Sequence, residues 1–193
     1  MDGLPNGWRE RSPKQIAAIV LLIFMAMVLS FVEFPVVPGA EWLKYDPSGI
    51  VSLLATILYG SWIGIAVAVA SWLPHLLTDP LGAFMNIMAT VSLITVVGTV
   101  YRRKPCLSHA VLGCAAGVLV STAVSICLNF VVMPPYAGVS YEETAALILP
   151  ALLPFNVFKA LANSIVAIAS YHKLAMLLED QPGGLSASGQ NRS

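Results

Sequence analysis

The sequence predicts an all-α integral membrane protein with six transmembrane helices and both termini in the cytoplasm. Three observations carry that prediction. Of 193 residues, 58% are hydrophobic and only 10% are charged, against about 25% charged in an average soluble domain, so a water-facing surface cannot be covered. Mean hydropathy is +0.81, and apolar stretches near the roughly 20 residues needed to cross about 30 Å of hydrocarbon recur along the chain. Basic and acidic residues also segregate into alternate loops, as a fixed membrane orientation requires.

The layout is a polar tail over 1–12, a membrane domain over 13–178 and a second polar tail over 179–193, both tails expected to be disordered. The first span runs from about Gln15 to Val32, started by Pro13 and stopped by Pro35. It is expected to stay as a helix, because Phe34-Pro35-Val36-Val37-Pro38 offers no small-residue site for leader cleavage. From Ser48 to Leu77 the chain is too long for one span and short for two. Tyr59-Gly60-Ser61-Trp62 divides it into two short helices, over about 48–59 and 62–77. The fourth span covers about 82–101 and the fifth about 108–132, separated by Arg102-Arg103-Lys104-Pro105. The last apolar stretch, about 144–178, is divided by Pro150 and Pro154 and places its membrane core over about 154–175.

With six crossings, Arg9, Arg11, Lys14, Arg102, Arg103, Lys104 and Lys173 fall on one side. The opposite loops hold Glu33, Glu41, Lys44, Asp46, Asp79, Glu142 and Glu143, with one lysine among them. The basic side is the cytoplasmic one.

Several function classes drop out. Net charge is zero and no basic stripe exists, so nucleic acid is not a partner. Cys106, Cys114 and Cys127 form neither a disulfide framework nor a CxxC pair. No phosphate loop, GxGxxG, HExxH or GxSxG is present, and His75, His109 and His172 lie in different loops. The spans contain no Asp or Glu for a proton relay, and no internal repeat suggests an inverted-repeat transporter. The chain reads as a binding protein without enzymatic activity, metal or cofactor.

Polar residues in apolar stretches are therefore the informative ones. Lys159 lies inside the last span, where an unpaired charge costs at least about 2.5–3.5 kcal/mol. Asn156 and Asn163 flank it at i−3 and i+4 on one helical face. Asn129 near the end of span five and Asn86 early in span four complete a set able to converge on one cavity. Two plainer roles stand beside this one: amides bridging helices, and a lysine snorkelling to the headgroups. The loop from Glu33 to Pro47 mixes aromatics, prolines and charges in about fifteen residues, which suits a lid over a ligand as well as an interfacial anchor.

Three segments carry a family resemblance. They are Phe34-Pro35 with Leu43-Lys44-Tyr45-Asp46 and Ser48; Asn129-Phe130-Val131 leading to Pro134-Pro135-Tyr136; and Leu153-Pro154-Phe155-Asn156-Val157-Phe158-Lys159. In this order, over about residues 14–176, the sequence resembles the riboflavin-specific substrate-binding subunits (S-components) of energy-coupling factor (ECF) vitamin transporters. The resemblance implies six helices in a bacterial cell membrane and riboflavin as the transported ligand. It implies a transmembrane coupling subunit and two ATP-binding subunits as partners. It also implies ring contacts from Asn129, Asn156 and Lys159, and lid contacts from Lys44, Tyr45 and Asp46.

The chemistry suits that ligand. A flavin edge alternates carbonyl acceptors with an imide N–H, which amides and a lysine can match. Phe155, with Phe34, Trp42, Tyr45 and Phe130, offers apolar or stacking surface, and Asp46 would face the ribityl hydroxyls. Few cations stand on that side, which favours riboflavin over its phosphate. A substrate-binding subunit for a different vitamin or precursor is the alternative.

Three departures from the family pattern stand out. Leu21 and Leu22 follow Ala17 and Ala18 where a small-xxx-small docking pattern is usual, leaving Ala18 with Ala26 as the substitute pair. Ser71-Trp72-Leu73-Pro74-His75 is unusually apolar, and Ala83 stands where a carboxylate is common.

Overall fold

The computed structural model describes residues 12–179, so the two tails lie almost wholly outside the described residues. The described residues are helical apart from one two-stranded hairpin and connecting loops. Helix α1 (Pro13–Ser30) opens with a capping box, in which Ser12 Oγ accepts from the Gln15 N–H and Gln15 Oε1 accepts from the Ser12 N–H. It buries Ile19 and Ala26 against Val51, Ala55, Ile63 and Val67. Its other face, with Val20, Leu21 and Phe24, stays exposed. Ala26 is thus enclosed within the bundle, whereas Ala18 is half-buried, so the two do not form an exposed small-residue pair.

Strands β1 (Phe34–Pro35) and β2 (Lys44–Tyr45) pair antiparallel, with Phe34 opposite Tyr45 and Pro35 opposite Lys44. Helices α2 (Ser48–Tyr59) and α3 (Ser61–Trp72) follow, and Gly60 between them has φ +94°, a conformation that glycine adopts at no steric cost. Each has 12 residues, about 18 Å of helix. That length is well under the hydrocarbon thickness of about 30 Å. The second short helix ends earlier than its apolar run suggests. Pro74 lacks an N–H and disfavours helical geometry before it, so α3 stops at Trp72 and a 3₁₀ turn carries Pro74–Leu77.

Helix α4 (Pro80–Arg103) is capped by Asp79, whose Oδ1 accepts from the Gly82 N–H at 2.9 Å. Helix α5 (Leu107–Ala137) passes straight through Pro134 and Pro135, five residues beyond the expected end near 132. Pro134 and Pro135 deny donors only to the carbonyls four residues before them, so the last turn keeps its course until Gly138, at φ +67°, closes it. A short helix α6 (Tyr141–Ala146), with a Ser140–Glu143 capping box, leads into a π-helical turn over Ile148–Leu152 and then α7 (Leu153–Glu179). In that turn the Leu152 N–H reaches back five residues to the Leu147 carbonyl, an accommodation of Pro150, which has no N–H to donate.

The main core joins α2, α4, α5 and α7 through Leu53, Leu93, Ile94, Val97, Val118 and Ala160. A third cluster lies beneath the hairpin, where Ala40 and Leu43 cover Ala151, Leu152 and Phe155. Among the described residues, four stretches are long and apolar enough to cross a membrane: α1, α4, Leu107–Pro135 and Ile148–Tyr171.

Candidate functional site

The hairpin end of the bundle concentrates the polar residues. Asp46 sits between β2 and α2, and Pro47-Ser48 after it starts the helix. Its Oδ1 accepts from the Ser48 backbone N–H at 3.2 Å and from the Ser48 hydroxyl. This is an Asx-type turn, a geometry that Asp before a helix start favours. Oδ2 accepts from Lys159 Nζ at 2.6 Å and from Asn86 Nδ2 at 3.0 Å. One loop carboxylate therefore joins α2, α4 and α7. Trp72 Nε1 donates to Ser48 Oγ at 3.2 Å and adds α3.

Burial makes these bonds matter. The Asp46 side chain is 2% exposed and that of Lys159 14%. Burial would push the Asp46 carboxyl up. The adjacent Lys159 ammonium, with hydrogen bonds from Lys159, Ser48 and Asn86, instead holds it below the usual carboxylate range. Removing either charge would leave the other nearly dry and unpaired, a defect worth about 3–5 kcal/mol in buried pairs.

A second tie lies one turn further along α7. Tyr45 OH donates to Asn163 Oδ1 at 2.9 Å. Gly49 on α2 makes room for that amide, because a Cβ there would collide with Asn163 Nδ2. Consecutive loop residues Tyr45 and Asp46 thus grip Asn163 and Lys159, four apart on one helical face. Aromatic rings fill the surroundings: Tyr45 lies between Phe34 and Phe158, at 5.3 and 5.8 Å between centroids, and Lys159 Nζ stands 6.0 Å from the centre of the buried Phe155 ring.

The sequence-predicted residues divide into two groups. Asp46, Asn86 and Lys159 are hydrogen-bonded together beside Phe155, and Tyr45 is tied to the same helix. Asn129 on α5 and Asn156 on α7 do not join this network. Each donates Nδ2 to the carbonyl four residues earlier, Ser125 at 2.8 Å and Leu152 at 2.7 Å, and among the described residues no hydrogen bond reaches either Oδ1. Lys44 is on the exposed side and pairs with Glu33 at 3.3 Å. Ser48 and Trp72 were not foreseen as members. The Asp-Pro-Ser turn was a signal for the first; none marked Trp72, whose bond exists only once α2 and α3 fold together.

Chemically the network combines one ammonium with unused donor capacity and a wall of aromatic rings, while the Asn129 and Asn156 carbonyl oxygens outside it accept no hydrogen bond from the described residues. That set matches a planar polar ring carrying both carbonyls and an N–H. Among the described residues no group of His, Cys, Asp and Glu is placed to hold a metal ion.

Known proteins resemble this chain along most of its length. Residues 14–171 match the family described as ECF transporter, substrate-specific component. The riboflavin transporter RibU of Staphylococcus aureus (strain TCH60) is 32% identical over 186 residues, 90% of this chain and 98% of that protein. The riboflavin transporter FmnP of Bacillus subtilis (strain 168) is 24% identical over 181 residues, 87% and 95% of the two chains. A solved structure of the S component of a bacterial ECF transporter superposes with a TM-score of 0.78 at 31% identity, covering 88% of this chain and 99% of that one. The chain belongs to the substrate-specific components of ECF transporters.

Proposed function

We propose that this chain is the riboflavin-binding subunit of an ECF transporter, a multi-pass protein of the bacterial cell membrane that captures the vitamin from outside. Two relatives named as riboflavin transporters support the choice of ligand. The observation that carries it here is the buried Lys159–Asp46–Asn86 network beside Phe155 and beneath the hairpin. Lys159 donates to a ring carbonyl, the Oδ1 atoms of Asn129 and Asn156 accept from the imide N–H or its neighbours, and Phe155 lies against the ring. Tyr45 and Asp46 hold the lid to α7, and Lys44 with Glu33 staples the hairpin that forms it.

The reading keeps six crossings with both termini in the cytoplasm, α2 and α3 together making the second and third. Their shortness puts the Gly60 turn inside the hydrocarbon depth, where surrounding helices must shield its backbone. The chain is not an enzyme and carries no cofactor. Energy for accumulation comes from a transmembrane coupling subunit and two ATP-binding subunits, since no phosphate loop is present in the sequence.

Uptake of labelled riboflavin by cells that lack their own riboflavin transporter and contain an energising module tests the proposal. Uptake that unlabelled riboflavin abolishes, and excess thiamine, biotin or pantothenate leaves intact, is the expected result. Uptake of another vitamin alone would replace the ligand and keep the fold.

A further inference from the structure

The Asp46 carboxylate is saturated. Oδ1 accepts from the Ser48 N–H and hydroxyl, and Oδ2 from Lys159 and Asn86. Four bonds fill the acceptor capacity of two carboxylate oxygens, so Asp46 has none left for a ligand hydroxyl. Lys159 differs. It spends one of three N–H donors on Asp46, and two remain. Among the described residues, Glu33 and Lys44 pair with one another at the surface, and Asp79 caps α4. A ligand at Lys159 therefore meets a donor whose charge is already cancelled.

We infer that Asp46 is the residue that sets the preference for an uncharged ligand, by neutralising Lys159 while leaving two of its donors to read a neutral carbonyl. This rests on the flavin reading above and adds to it the determinant of selectivity against phosphorylated flavin. A positively charged pocket would welcome riboflavin 5′-phosphate, whereas a neutral one gains nothing from the phosphate and must still strip its water. At about 10 Å and an effective dielectric constant near 20, one uncompensated charge changes the affinity for a singly charged anion on the order of tenfold.

The test compares affinities for riboflavin and riboflavin 5′-phosphate in detergent-purified full-length protein, from quenching of flavin fluorescence. The readout is the ratio of phosphate affinity to riboflavin affinity, which a general loss of structure would not move. Asp46→Asn keeps the shape and removes the negative charge, and the ratio is expected to rise about tenfold. Lys159→Gln leaves Asp46 uncompensated, and the ratio is expected to fall by a similar factor. The double variant has no net charge and is expected to return to the parent ratio with weaker binding of both ligands.

Should Asp46→Asn fail to fold, the comparison of Lys159→Gln with the double variant isolates the same charge without a stranded ammonium. An unchanged ratio in Asp46→Asn, or shifts of the two single variants in the same direction, would overturn the inference and leave the flavin reading standing. A parent protein that binds neither flavin would remove both.

Discussion

Replacing Lys159 with alanine is the sharpest perturbation available. The substitution removes the only cation among the described residues in contact with a carboxylate that is 2% exposed. At 2.6 Å and an effective dielectric constant near 20, the gross attraction is about 6 kcal/mol. Desolvation of both groups takes back several of these. The deletion nevertheless leaves Asp46 buried with only Ser48 and Asn86 as donors, so the expected loss is about 3–5 kcal/mol. Asp46→Ala strands the ammonium and is expected to be comparably damaging. The double variant strands nothing, so its loss is expected to be no larger than either single one. The assay is thermal unfolding of the detergent-purified protein for the parent, both single variants and the double, read as a double-mutant cycle. A coupling of about 2 kcal/mol or more between the sites is predicted. Additive effects, or a Lys159→Ala protein as stable as the parent, would show that the two groups are not paired and would remove the centre of the site.

Four further outcomes follow from the same geometry. Tyr45→Phe deletes one buried hydrogen bond to Asn163 and is expected to lower stability by about 0.5–1.5 kcal/mol, with faster proteolysis of the 33–47 loop as the accompanying sign. Gly49→Ala drives a methyl group into the Asn163 amide and is expected to cost about 1–3 kcal/mol, despite alanine's better helix propensity; an unaltered melting temperature would contradict the close approach. Lys44→Ala removes an exposed pair and is expected to change stability by less than about 1 kcal/mol, a contrast with Lys159 that the same melting series checks. Acid should act through Asp46, whose carboxyl is held below its ordinary value in the folded protein. A depressed folded value stabilises the fold above the unfolded carboxylate value of about 3.9 and loses that contribution as pH falls through the folded one. The melting temperature is thus expected to lose this contribution below about pH 4, and Asp46→Asn to lack that part of the fall.

Much of the bundle is legible in the sequence because a membrane demands long apolar runs and punishes stray charges. The chain break at Gly60, the long fourth span and the shared face of Asn156, Lys159 and Asn163 all follow from local spacing. What local spacing cannot supply is pairing. Asp46 and Lys159 are 113 positions apart, and from sequence each looked available to a ligand; only the fold shows that they satisfy one another. Trp72 joins the network for the same reason. The fifth helix runs past its expected end near 132 because its final turn tolerates Pro134 and Pro135. Ala26 misled because a small residue on an apolar helix looks alike whether it faces the bundle or a partner. The hairpin ties were partly visible, since a proline-rich loop with Lys44, Tyr45 and Asp46 invites a lid, but its grip on α7 through consecutive residues was not.

The most direct test of the whole account is a titration of riboflavin with the detergent-purified protein, followed by the flavin's own fluorescence. Stacking against aromatic side chains and transfer out of water should quench the emission in a saturable way at micromolar protein, with one flavin bound per chain. Emission that stays unchanged as the protein is added would mean that Lys159, Asn129 and Asn156 serve another ligand.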